Sequence, residues 1–121
     1  MADTLLIVGR MLLGGLFVVG GLRHFLILPI ITDVMRQQGV PWPRLVLLAG
    51  TMFEIAAGGL LMIGFFALPA AIGLVLFTIA ASVMMMKFWS LEGEARTAAI
   101  NGWLTNIAIV GGLLIAAATE L

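Results

Sequence analysis

The chain has no cysteine, no tyrosine and one histidine, and only six basic and six acidic residues in 121. Each shortage removes a class of function. Without cysteine there is no disulfide exchange, thiolate catalysis, iron–sulfur ligation or cysteine zinc site. A lone histidine, His24, has no second imidazole to complete a familiar metal site, so no metal centre is expected. Six charges of each sign give a formal net charge of zero and leave no basic patch for nucleic acid. Charged residues make up 10% of the chain, against about a quarter in a soluble domain, too few to coat a folded surface in water.

What is present in their place is apolar: 63% hydrophobic residues and 15 glycines, with a mean hydropathy of +1.23. The solvent for most of this surface is therefore expected to be lipid. A membrane-spanning helix takes about 20 residues, so four fit with about 40 left for connections and ends. The pattern predicts an all-α membrane protein, one domain over residues 1–121, with four transmembrane helices in an antiparallel bundle at about 5–28, 45–66, 69–88 and 98–119. The first segment imitates a signal-peptide core, but Asp3 and the lack of early basic residues point to a retained helix. Between the first two helices, Ile30 to Gln38 mixes Ile30, Ile31, Val34 and Met35 with Asp33, Arg36 and Gln37, as a short interfacial helix would. Trp42 suits the same headgroup level. Ile55 to Met86 carries no charge and is too long for one span, and Pro69 is the expected break. Ser90 to Arg96 reads as a solvated loop.

Glu54 stands near the middle of the second span, where a carboxylate costs about 3 kcal/mol unless it is protonated, paired or beside a wet cavity. Gly50 and Gly58 lie one turn away on either side and leave a groove for another helix or a ligand. The residue reads equally as a structural ion pair or as part of a functional site. Arg10 is the expected partner, with snorkelling to headgroups as its alternative. Arg10, Gly14, Phe17, Gly21 and His24 share one face of the first helix. His24 is either an interfacial residue or a proton-exchanging group. Asn101, Thr105, Asn106, Thr78 and Ser82 are read as interhelical hydrogen-bonding groups, and the eight methionines as packing and lipid contacts. Gly-Gly-Leu recurs at Gly14, Gly58 and Gly111–Gly112, as close helix packing requires.

In order and spacing these residues resemble the DoxX family over nearly the whole chain. The resemblance rests on the run from Arg10 through Gly14 to Phe17 with Gly21 and His24–Phe25, then on Gly39 to Pro43, then on Glu54 with Gly58–Gly59 and Gly64. Phe88–Trp89 and the stretch from Asn106 to Gly111–Gly112 complete it. The chain departs at Lys87, where relatives often carry histidine, and at Thr105, where a lysine often precedes the asparagine. The resemblance implies a multi-pass bacterial inner-membrane protein tied to redox metabolism. It suggests a subunit that binds a quinone or similar lipophilic molecule, or that anchors a membrane oxidoreductase, with no cofactor evident in the sequence itself. On that reading Arg10, Phe17, His24, Glu54, Trp89 and Asn106 are the candidate ligand contacts. Gly14, Gly21, Gly50, Gly58, Gly111 and Gly112 are the packing glycines. The competing readings are a small dimeric transporter or channel, against which the glutamate's place in the second helix counts, and a structural subunit of a larger complex. Homo-oligomerisation is compatible with each.

Arg23, Arg36, Arg44, Lys87 and Arg96 all lie in or beside the first and third connections, which predicts both termini outside the cytoplasm. The cysteine-free chain allows a direct check. Ala2→Cys should be labelled by an impermeant thiol reagent in intact spheroplasts, and Glu94→Cys should be protected until the membrane is opened. The reverse pattern inverts the orientation.

Overall fold

The computed structural model describes all of residues 1–121 and contains no strand. Its helices are α1 (Ala2–Leu26), α2 (Leu28–Gln37), α3 (Pro43–Ile63), α4 (Ala67–Met85) and α5 (Gly93–Ala118), with a single 3₁₀ turn at Phe88–Ser90. Four stretches, Ala2–Leu26, Pro43–Ile63, Ala67–Ser90 and Gly93–Ala118, are long and apolar enough to cross a bilayer. The protein is an all-α membrane protein, and α2 is the short helix between its first two spans.

The breaks between helices have local causes. Pro43 opens α3 at a position where no backbone donor is needed, after Trp42 in the left-handed region at φ 46°. The separation of α3 from α4 does not fall at Pro69. Gly64 closes α3 at φ 77°, and Phe66, at φ 50°, opens α4. A left-handed glycine at this place is a common helix stop. Pro69 then falls within the first turn of α4, where a missing N–H costs nothing.

Helix α1 packs chiefly on α3 and α4 on α5, while α3 against α4 joins the two pairs. The first pairing is a glycine crossing. A Cβ added at Gly58 would stand 2.8 Å from the Gly14 carbonyl oxygen, and one added at Gly14 would run into the Gly58 carbonyl. Gly21 is likewise covered by Ile55. Gly111 faces open space, and Gly112 only touches Leu13 at ordinary distance, so the expectation that Gly111 packs a helix is corrected. It is half-buried in α5, and nothing lies within 4 Å of where its Cβ would stand.

The bundle has two unlike halves. Toward the chain termini and the α3–α4 turn the interior is solid, built from Phe17, Ala57, Leu61, Ala70, Ala71, Leu74, Leu113 and Ala116. At the other end, Met35, Val40 and Leu47 form a separate small cluster under α2. The Lys87 ammonium donates to the Gln38 carbonyl at 2.8 Å and ties the end of α2 to the end of α4.

Gly14→Val should lower stability by about 1–3 kcal/mol, since the crossing has no room to yield. Gly111→Ala should be neutral or stabilising by up to about 1 kcal/mol, because alanine favours the helix and meets nothing. Thermal unfolding in detergent separates the two.

Candidate functional site

Between the solid core and the α2 cluster lies a cavity of about 610 Å³. All five helices line it: α1 through Phe17, Gly20 and His24, α2 through Ile31 and Met35, and α3 through Leu47, Gly50, Thr51 and Glu54. Helix α4 contributes Phe77, Thr78 and Met84, and α5 contributes Asn106 and Ile109. Small residues at Gly20, Gly50, Ala80 and Ala81 leave the space.

The polar wall is built by α1 and α3. Glu54 is 6% exposed, and its Oε2 lies 3.5 Å from His24 Nδ1. The same ring nitrogen is 3.1 Å from Thr51 Oγ1. Nδ1 thus either receives the threonine proton or donates to the threonine oxygen, while its contact with Glu54 Oε2 is one of charge and not a hydrogen bond. Glu54 Oε2 itself is enclosed and has no hydrogen-bond partner. Side chains on a helix lean toward its N-terminus, and α1 and α3 run antiparallel. His24 therefore leans inward along α1 while Glu54 leans toward the α2 end, and the two converge.

The same geometry overturns the expected pairing of Arg10 with Glu54. Arg10 leans toward Met1, and its guanidinium lies over Gly64 at the end of α3, about 15 Å along the helix from Glu54. Its partner is Glu120, to whose Oε1 it donates from Nη1 at 3.3 Å. Arg10 thereby joins α1 to the end of α5 and stands outside the cavity. Trp89 is also elsewhere. It is exposed and lies in a surface groove with Phe88, Trp103 and Ile107, because Trp103 Nε1 donates to the Met86 carbonyl at 2.6 Å and holds the 3₁₀ turn against α5. Gly58 does not bound the cavity either, since Gly14 covers it. Phe17, His24, Glu54 and Asn106 do line it.

Opposite the Glu54 wall, Asn106 Nδ2 donates to Ser82 Oγ at 2.8 Å, and Ser82 donates to the Thr78 carbonyl at 2.7 Å. The first bond joins α5 to α4, and the second lies within α4. Thr78 Oγ1 is buried without a partner. Thr51 was not among the expected site residues, although its place three residues before Glu54 puts it on the same face.

The DoxX family model matches residues 5–87 of the chain. The inner membrane protein YphA of Escherichia coli (strain K12) is 25% identical over 116 residues, covering 96% of this chain and 83% of that one. No solved structure matches the chain.

A double-mutant cycle distinguishes the two arginine pairings. Arg10→Gln and Glu120→Gln should couple by about 0.5–1 kcal/mol, the range of a partly exposed pair. Arg10→Gln and Glu54→Gln should be additive in thermal stability. The match over residues 5–87 covers most of the sequence and includes Arg10, His24 and Glu54, and the chain belongs to the DoxX family.

Proposed function

We propose that the protein is an inner-membrane protein that binds a lipophilic molecule with one polar head, a quinone, in the cavity beside Glu54 and His24, and serves a redox partner in the same membrane. The observation that carries this reading is a carboxylate–imidazole pair set into the wall of an otherwise apolar cavity. A mostly apolar hollow of several hundred Å³ with a few convergent polar groups is the usual form of a small-molecule site. The inner-membrane relative from Escherichia coli supports the location.

The residues fit such a head. Phe17 and Phe77 offer rings, Met35 and Met84 offer adaptable apolar walls, and Glu54, His24 and Thr51 offer the polar contacts. A bound quinone supplies reversible two-electron, two-proton chemistry. The chain's part is to orient the head, keep water scarce around it and hold protons at Glu54 and His24. Lacking cysteine, the chain has no thiol redox centre of its own, so electrons are exchanged through the partner. With both termini outside, the cavity lies in the cytoplasmic half of the bilayer.

Protein in nanodiscs should bind decylubiquinone saturably, measured by titration calorimetry. Gly50→Leu should weaken binding at least tenfold, because a Cβ there already comes within 3.3 Å of the Phe77 ring and the larger side chain fills the hollow. No saturable binding, or unchanged affinity in Gly50→Leu, contradicts the proposal. Proton-coupled flux in liposomes without quinone binding favours the transporter reading.

A further inference from the structure

Helix α5 is the least buried of the four spans, and it carries two polar side chains that its own bundle does not use. Asn101 and Thr105 are exposed. The Thr105 hydroxyl donates back to the Asn101 carbonyl at 3.0 Å. The Asn101 carboxamide takes no part in the side-chain hydrogen bonds of this helix and its end, which Thr97, Trp103, Thr105, Asn106 and Thr119 make. The interhelical bonding expected of Asn101 and Thr105 is thus not met within the chain. An amide both donates and accepts, and lipid tails offer it neither partner.

From Thr97, the residues Asn101, Leu104, Ala108, Gly111 and Ile115 follow at alternating steps of 4 and 3. That is the heptad seam along which two helices interlock. The seam is open: Leu104 is 61% and Ile115 71% exposed, and nothing stands within 4 Å of a Cβ at Gly111. Ala108 and Gly111 leave room for a second backbone to come close. The seam runs about 27 Å along the helix, close to the ~30 Å of the hydrocarbon core. One step before Thr97 the pattern reaches Glu94, in the first turn of α5, and the seam ends there.

The occupant follows from the asparagine. Two copies of one chain inserted the same way are related by a two-fold axis along the membrane normal, so α5 meets its own copy in parallel and each seam residue faces itself at the same depth. Few polar side chains can pair with their own copy. A carboxamide can, because the donor of one meets the acceptor of the other, and an asparagine in a helical seam fixes register and partner number.

We propose that α5 pairs with α5 of a second copy of this chain along Asn101, Leu104, Ala108, Gly111 and Ile115, with the two Asn101 amides bonded across the axis. The pairing is independent of what the cavity holds. It gives Gly111 the packing role that it lacks inside the bundle.

Single cysteines in the otherwise cysteine-free chain test this in native membranes under mild oxidation. Leu104→Cys, Ala108→Cys and Ile115→Cys should form disulfide-linked dimers at least about fivefold more than Ile107→Cys and Leu114→Cys, since only seam positions bring two Cβ atoms close enough to bridge. Ile107 and Leu114 are also exposed, so accessibility alone does not separate the two sets. Energy transfer between labelled copies diluted in liposomes gives the second reading. Asn101→Leu and Gly111→Leu should each weaken pairing about tenfold, the size of one interhelical hydrogen bond or of a lost close approach. Helical content should be unchanged in Gly111→Leu, whose site has nothing around it. No linked dimer at any seam position, or equal linking at seam and flank, overturns the proposal. So does a seam that links only to a different membrane protein, or energy transfer undiminished in both variants.

Discussion

The close crossing of α1 and α3 at Gly14 and Gly58 fixes the relation of the two helices that carry the polar wall. With a side chain at either glycine the backbones could not approach as they do, and in lipid, where burial supplies no drive between helices, such contact is a main source of association. The crossing also sets the register. Along the antiparallel pair beyond the Gly14–Gly58 crossing, the Ile55 side chain covers Gly21 and the His24 ring reaches Thr51. Glu54 then falls within reach of the imidazole, so the polar wall follows from where two glycines sit.

The division into a solid half and a hollow half follows from side-chain size. Alanine and leucine from α3, α4 and α5 fill the end near the chain termini. At the other end glycine and alanine alternate with methionine and phenylalanine, and α2 covers what they leave. Arg10 with Glu120 fastens the solid end, and Lys87 with Gln38 fastens the hollow one. Charges are thus kept to the two ends of the bundle, with Glu54 and His24 as the exception.

Much of the fold was legible because lipid imposes a coarse rule: long uncharged runs become helices, and polar stretches become connections. Glu54 stood out for the same reason, as a carboxylate in the middle of such a run. What could not be read was pairing across helices. Arg10 and Glu54 match by charge, but the lean of side chains along antiparallel helices carries them apart and leaves Arg10 beside Glu120. Pro69 drew attention as a breaker, yet the turn depends on the left-handed backbone at Gly64 and Phe66. Trp89 was placed by its motif, whereas the Trp103 bond to the Met86 carbonyl decides where its turn lies. The Asn106 bond to Ser82 follows the interhelical role expected of both. Thr51 carried a signal that was overlooked, since a hydroxyl one turn from a buried carboxylate shares its environment.

The central claim is that the Glu54–His24 wall serves a bound lipophile rather than helix packing alone. Native mass spectrometry of the protein released from its own membrane in mild detergent tests this most directly. The account predicts one molecule of a prenylated quinone or hydroquinone per chain, retained through dilution. Protein carrying only phospholipid in variable amounts, with no such molecule in its organic extract, would contradict it.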